Sequence, residues 1–429
     1  MIESSPLSLT KGLGPALDDA GTTDLAGTSL FASDRDFPQL ALSESAILHN
    51  IDAMMAYVRS RGVALAPHGK TAMSPKLAQW QVDAGAWGIT AATPTQLRVY
   101  RAAGIEHLLL ANQLVEPGAI AWLRAELAAD PHFVCPVYAD SAAGLALLAE
   151  PASATTSAPP AAGARPIDVL LEVGHPGGRT GVRGLDALRE LAAQAAHAPG
   201  IRVIGLATYE GTLGGETEGE KVQKVHAFVR ELAASASTLE AEGLLPADSI
   251  ISLGGSAYFD VAVDELLAAG IPAARILLRS GAYLTHDDGL YARTTPGARG
   301  SDGAPDLLSA IRVWAPVLSI PEPGLAVALC GRRDVGFDQD LPSVRGVRGV
   351  RGRDGSAARG FVGRVAKLAD QHAFIEFDAD AAGAGAPPRV GDLVELGISH
   401  PCTTLDRWGL VPLVDDELRV RDLIRLHFT

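Results

Sequence analysis

Cysteine is scarce in this 429-residue chain, which holds only Cys135, Cys330 and Cys402, widely spaced. Three such thiols form no disulfide framework and fit a reducing, cytoplasmic setting. No apolar run approaches the roughly 18 residues of a membrane helix. The first twenty residues lack the basic stretch and apolar core of a secretory leader. Basic charge is also short: 36 Lys and Arg against 50 Asp and Glu leave a net charge of −14. That balance excludes nucleic acid and anionic membrane as general partners, while allowing a local basic site for a small anion. The sequence contains no HExxH, no paired CxxC, no P-loop, no GxSxG and no GxGxxG after a strand. Their absence sets aside the zinc-protease, nucleotide and serine-hydrolase signatures.

What is present is a repeat. Near-continuous apolar runs occur at 63–67, 87–93, 107–113, 133–139, 167–174, 201–209, 249–255 and 275–281. Amphipathic helical patterns lie between them, at 74–84, 95–103, 117–128, 184–197, 217–243 and 258–269, with Ser74-Pro75 opening one and Gly243 and Gly270 closing others. Strands that are apolar throughout belong to a parallel sheet covered on both faces. Eight βα units over roughly 250 residues predict a (β/α)8 TIM-type barrel, here 44–305; an open doubly wound sheet would usually have fewer strands. After about residue 305 the pattern changes to short β-type runs between Gly- and Asp-rich turns. This predicts a C-terminal β domain at 306–429, to which 31–43 adds a strand. Residues 1–30 are expected to pack loosely, and the Pro/Ala/Ser/Thr-rich stretch 151–166 to form a disordered surface loop. The Arg/Gly stretch 343–360 reads as a flexible, solvated loop rather than an anion-binding arm.

The active site of such a barrel lies at the C-terminal ends of its strands. Lys70 stands after the first run, Arg179 after the fifth and Tyr209 at the end of the sixth. Gly254-Gly255-Ser256 follow the seventh run, and Gly281 and Tyr283 the eighth. Glycines after the last two strands let backbone N–H groups approach a phosphate closely. A lone strand-end lysine is more often a surface ion-pair partner, and a Gly-Gly-Ser turn is usually only a turn. Placed together at one barrel mouth, they point to pyridoxal phosphate, held through its aldehyde by the lysine amine and through its phosphate by the turns. His400 and Cys402 are two residues apart; on a strand they would share a face. Imidazole nitrogen and thiolate sulfur suit Zn2+, and two protein ligands leave positions open for substrate or water. Without that context, the pair is a core cysteine beside a surface histidine.

Six segments, "APHGKTAMSP", "EVGHPGGRTGV", "TYEGTLGG", "LGGS", "RSGAYLTHDDG" and "GISHPCTTLDRW", together resemble the D-serine dehydratase/D-threonine aldolase family of alanine racemase-like, fold-type III pyridoxal phosphate enzymes. The likeness spans about residues 40–429. It implies a barrel plus a β domain, usually dimeric, acting on small D-amino acids. By resemblance, Lys70 is the lysine that carries the cofactor and takes the α-proton. Arg179 and Tyr209 flank the cofactor ring. Gly254, Gly255, Ser256, Gly281 and Tyr283 form the phosphate cup, and His400 and Cys402 hold the metal. Family dehydratases tend to carry His-x-Cys with zinc and family aldolases His-x-Asp with manganese or magnesium, so Cys402 implies β-elimination of a D-serine-like substrate to a keto acid and ammonia. Metal-assisted aldol cleavage and a cofactor carrier without turnover are the alternatives. Ala72-Met73 replace the His-Lys common in the dehydratases, and "GAWGITAAT" and "HPCTTLDRW" look more like a bacterial branch labelled amino acid deaminase.

Overall fold

The apolar runs become short parallel strands because each buries both faces, one toward the barrel axis and one toward the surrounding helices. The computed structural model describes residues 11–13, 25–149, 165–349, 359–381 and 387–428. In chain order it begins with β1 (Gln39–Ser43), α1 (Glu44–Arg61), β2 (Ala64–Leu65), α2 (Pro75–Asp83), β3 (Ile89–Ala91), α3 (Pro94–Ala102), β4 (Leu108–Leu110), α4 (Pro117–Ala129), β5 (Val137–Ala139), α5 (Ala142–Ala149) and β6 (Ile167–Val173). It continues with α6 (Leu185–Ala196), β7 (Ile201–Thr208), α7 (Glu218–Ala241), β8 (Ile250–Leu253), α8 (Phe259–Ala268), β9 (Ile276–Leu278) and α9 (Leu290–Thr294). Thr93 and Thr217 cap α3 and α7 by accepting the N–H groups of Gln96 and Glu220. Gly62 ends α1 in the left-handed conformation that a side chain would strain.

Strands β2 and β5 to β9 form one sheet in the order β2-β9-β8-β7-β6-β5, and β3 pairs with β4. Two further sets of hydrogen bonds close the ring. Thr90 N–H donates to Pro67 O at 2.9 Å between β2 and β3, and Leu108 N–H donates to Val134 O at 2.8 Å between β4 and β5. The barrel axis is filled by Ala66, Leu109, Tyr138, Leu170, Ala207 and Leu277. Leu108 and Leu110, which flank the inward-facing Leu109, belong to the larger core shared with the helices. Each fully buried leucine contributes roughly 1.5–3 kcal/mol by leaving water.

The second sheet comprises β1 and the later strands: β10 (Ile311–Glu322), β11 (Leu325–Ala328), β12 (Ser343–Arg348), β13 (Gly363–Leu368), β14 (Ala373–Phe377), β15 (Leu393–Gly397), β16 (Leu410–Val414) and β17 (Val420–Arg425), with the one-turn α10 (Cys402–Leu405) before β16. Its order is β11-β14-β13-β12-β15-β10-β1-β16-β17, and β11 also pairs with β10, which closes six of the strands into an antiparallel barrel. β1 lies between β10 and β16 and leads directly into α1.

Two expectations change. Residues 343–348 are not a loop: β12 pairs with β15, Arg345 forms an ion pair with Asp288, and the Arg348 guanidinium lies 4.4 Å from the centre of the Phe31 ring. Arginine heads on a strand that buries Val347 gave it the composition of a solvated segment. In the N-terminal region, of which 1–10 and 14–24 lie outside the described residues, Leu13 and Leu25 pack against Leu410, Val420 and Leu423 instead of lying loose. Residues 150–164 and 350–358, which include most of the first expected loop and half of the second, lie outside the described residues. No helix among the described residues is long and apolar enough to cross a membrane.

Candidate active site

After β2 the chain leaves through Pro67-His68 and makes one 3-10 turn at Gly69–Thr71. Tyr100 fixes this turn. Its hydroxyl donates to Gly69 O at 2.8 Å, and a Cβ on residue 69 would fall 2.4 Å from that hydroxyl oxygen. Lys70 is thereby held at the barrel mouth, largely out of water. Burial disfavours its ammonium form; the charge of Cys402 opposes this, while Arg179 and Arg279 reinforce it, so the amine sits below the ordinary lysine range.

Lys70, Arg179, Tyr209, Gly254 and Gly255 line one cavity of about 170 Å3, together with His68, Tyr138 and Arg279. Arg179 reaches in from an exposed turn after β6, its guanidinium 4.5 Å from the centre of the Tyr209 ring. Arg279 is buried and donates to Ser252 Oγ at 2.7 Å and to the Thr208 carbonyl. His68 Nδ1 is shut off from solvent and has no hydrogen-bond partner among the described residues. Burial, with Lys70, Arg279 and Arg179 nearby, holds this imidazole well below its usual range and therefore neutral.

The expected phosphate turns prove more specialised. The Gly254 and Gly255 N–H groups both donate to the buried carboxylate of Glu210, so neither is free for a phosphate. Ser256 lines a second chamber of about 320 Å3, which shares Tyr209 and Gly255 with the first and also contains Tyr291 and His400. Ser256 Oγ accepts the Ala282 N–H at 3.2 Å. Gly281 packs against His68, where a Cβ would fall 2.3 Å from His68 O. Tyr283 points elsewhere, its buried hydroxyl donating to Gln81 Oε1 at 2.8 Å. Neither Gly281 nor Tyr283 lines either chamber.

His400 and Cys402 come together, but not on a strand. His400 sits in a turn with φ +70° after β15, and Cys402 opens α10. Thr71 Oγ1, from the lysine turn, lies 3.4 Å from Cys402 Sγ, so the two domains meet beside Lys70. Burial alone would raise the Cys402 thiol, but hydrogen bonds from His400 and Thr71 and the charges of His400 and Lys70 bring it below an ordinary thiol. Burial works the other way on His400, where Cys402 and Asp338 prevail and raise it to about 9. Among the described residues, no group of three or more His, Cys, Asp or Glu side chains has metal-holding geometry, so the two stand as a pair.

The alanine racemase N-terminal domain family matches residues 42–271, and the family described as "Putative serine dehydratase domain" matches 310–414. A D-threonine aldolase of Arthrobacter sp. is 31% identical over 312 residues, covering 72% of this chain and 76% of that protein. The crystal structure of D-threonine aldolase from Filomicrobium marinum aligns with a TM-score of 0.76 at 27% identity, covering 94% of this chain and 97% of that one. The chain belongs to the D-serine dehydratase/D-threonine aldolase family of fold-type III pyridoxal phosphate lyases. The same fold recurs in D-threo-3-hydroxyaspartate dehydratase from Delftia sp., with a TM-score of 0.66 at 21% identity, covering 93% of this chain and 99% of that one.

Within this family site, several side chains had no role in the sequence reading. Arg279 and Tyr138 line the first cavity, and their place at strand ends was a usable signal. Glu172 lines it too and accepts from Gln113 Nε2. Asp338 and Tyr291 left no local signal, because each acts on a residue brought close only by folding; Glu210 shares the strand end of Tyr209, but meets Gly254 and Gly255 only in the fold.

Proposed function

We propose that this chain is a pyridoxal phosphate- and metal-dependent lyase that eliminates water from D-β-hydroxy amino acids, D-serine being the simplest, to give a keto acid and ammonia. Residues 44–305 act as the cofactor barrel, and 306–429, joined by 31–43, as the metal-bearing β domain. The observation that carries this reading is the meeting of Thr71 and Cys402 at 3.4 Å, which sets a metal-type His/Cys pair beside Lys70. The residues suit the cofactor: a lysine depressed by burial, two arginines, an unpartnered His68 Nδ1 and an aromatic ring line one cavity. Lys70 would hold the cofactor, with Arg179 and Tyr209 against its ring and Ser256 toward its phosphate, while His400 and Cys402 would hold zinc. When bound, pyridoxal phosphate supplies an electron sink for charge at Cα, and the metal a Lewis acid for the β-oxygen.

The chain's own residues do the rest. The Lys70 amine, which burial draws below the ordinary lysine range, takes the α-proton onto Nζ. Arg179 holds the Tyr209 ring in place. Asp338 orients His400 through Nδ1. A second reading, aldol cleavage to glycine and an aldehyde, is favoured by the likeness to the Arthrobacter D-threonine aldolase. Resemblance also supports a homodimer, which sedimentation would check.

Incubating the purified chain with zinc, cofactor and a panel of D-β-hydroxy amino acids separates the two readings. Keto acid with ammonia supports elimination; glycine with an aldehyde supports cleavage. No product from any member of the panel would remove both.

A further inference from the structure

The stretch Thr285-His286-Asp287-Asp288-Gly289, which follows β9, has no part in the chemistry above. Asp287 is 1% exposed and directs both carboxylate oxygens at backbone N–H groups. Oδ1 accepts from Gly289, Tyr291 and Ala292 at 3.0, 2.9 and 3.1 Å, which fixes the start of α9. Oδ2 accepts from the His400 N–H at 3.1 Å. One buried carboxylate therefore ties the loop of the last barrel strand to the main chain of the metal pair.

Its neighbours follow the same path. Asp288 N–H donates to Ile398 O at 2.8 Å, and Leu290 N–H donates to Ser399 Oγ at 3.1 Å. Gly289 lies so close to the β domain that a Cβ would fall 2.4 Å from both Ser399 Cβ and Ser399 Oγ. The Asp288 carboxylate binds Arg312 and Arg345 on β10 and β12. Tyr291, carried by the capped helix, faces His400 edge-on with ring centres 6.4 Å apart, and both line the second chamber.

We propose that Asp287 is a positioning residue that sets His400 and Tyr291 against each other and so registers the metal pair of the β domain over the barrel mouth. Where it concerns metal, this rests on the zinc reading above; the registration itself does not. Asparagine at this position has one accepting oxygen and one N–H2 group. It can serve the α9 N–H groups or the His400 N–H, but not both, because its amide donor then faces another donor.

The test uses full-length Asp287→Asn, with His400→Ala as the metal control. Two quantities are measured: zinc affinity, by competition with a coloured chelator, and the rate at which a thiol reagent modifies Cys402 in metal-free protein. Cys135 and Cys330 are buried, whereas Cys402 is half-buried, the most exposed of the three. Asp287→Asn is expected to lose zinc affinity by about ten-fold or more and to shift the Cys402 rate, while pyridoxal phosphate affinity stays that of the wild type. A Cys402 rate equal to the wild type overturns the proposal, whatever zinc does. Wild-type zinc affinity no better than that of His400→Ala overturns the metal reading alone, and the thiol rate still decides the role of Asp287. Asp287→Ala, which also loses the helix cap, is expected to melt lower; if it fails to fold, Asp287→Asn carries the test.

Discussion

His400 donates its Nδ1–H to Oδ2 of Asp338 at 2.6 Å, and Asp338 Oδ1 in turn accepts from Thr403. This commits Nδ1 to Asp338, so Nε2, on giving up its proton, is the ring nitrogen that would hold a metal. Carboxylates behind a ligating histidine typically change metal affinity about 10- to 100-fold when removed. Asp338→Ala should lower zinc affinity by that order. Asp338→Asn, which keeps an accepting oxygen, should lose less. Equilibrium dialysis of the full chain against zinc measures both, and equal affinity in Asp338→Ala and wild type would contradict the arrangement.

His68 predicts a pH dependence of stability. Burial, with Lys70, Arg279 and Arg179 nearby, holds its folded pKa well below the ordinary value. The unfolded chain takes up a proton near pH 6.5. Below that pH, the unfolded state binds a proton that the native state refuses, so this contribution is present above about pH 6.5 and is lost as pH falls toward the folded pKa. His68→Gln removes it. Between about pH 8 and pH 5, the urea midpoint of wild type should therefore fall further than that of His68→Gln. Parallel slopes for the two proteins would count against a neutral, excluded imidazole.

Covalent capture of the cofactor gives a prediction for Lys70. Reduction with borohydride in the presence of pyridoxal phosphate should leave an adduct that peptide mapping places on Lys70. Lys70→Arg should carry none at that site, because a guanidinium stays charged and does not attack a carbonyl. Arg179→Ala should still be labelled at Lys70 but need more cofactor, since its contact with the Tyr209 ring at 4.5 Å is of a kind worth about 0.5–2 kcal/mol. An adduct mapped to another lysine in wild type would displace Lys70 from the site.

The parts of this site that could be read from sequence share a physical origin. Strands buried on both faces leave continuous apolar runs, so β6 and β7 show plainly, and a strand end places Lys70, Tyr209 and Gly254 at the mouth by position alone. Partnerships made by folding leave no such trace. Asp338 and His400 are 62 residues apart, and Asp287 and His400 are 113 apart. The placement of His400 and Cys402 on a strand failed for a reason visible in the chain: Pro401 between them has no N–H to give a ladder. Tyr283 was misdirected because the 3-10 turn at Ala282–Leu284 sends its side chain to Gln81 instead of the cavity.

Glu210 offers the last prediction. Its carboxylate is fully buried and takes the N–H groups of Gly254 and Gly255, and Gly254 is in the left-handed conformation at φ +91°. The turn is thereby set before any anion binds, and Ser256 is delivered to the second chamber. Glu210→Ala would leave two sheltered donors unpaired, at a cost of about 1–3 kcal/mol, and would free the turn to shift. Glu210→Gln keeps one accepting oxygen, so it should fall between Glu210→Ala and wild type. Urea denaturation gives the stability difference, and absorbance titration with pyridoxal phosphate gives the affinity. Loss of stability in Glu210→Ala with unchanged cofactor affinity would mean that Glu210 supports the fold without shaping the site. A graded loss of both, with Gln intermediate, would place the carboxylate in the machinery that presents Ser256 to the cofactor.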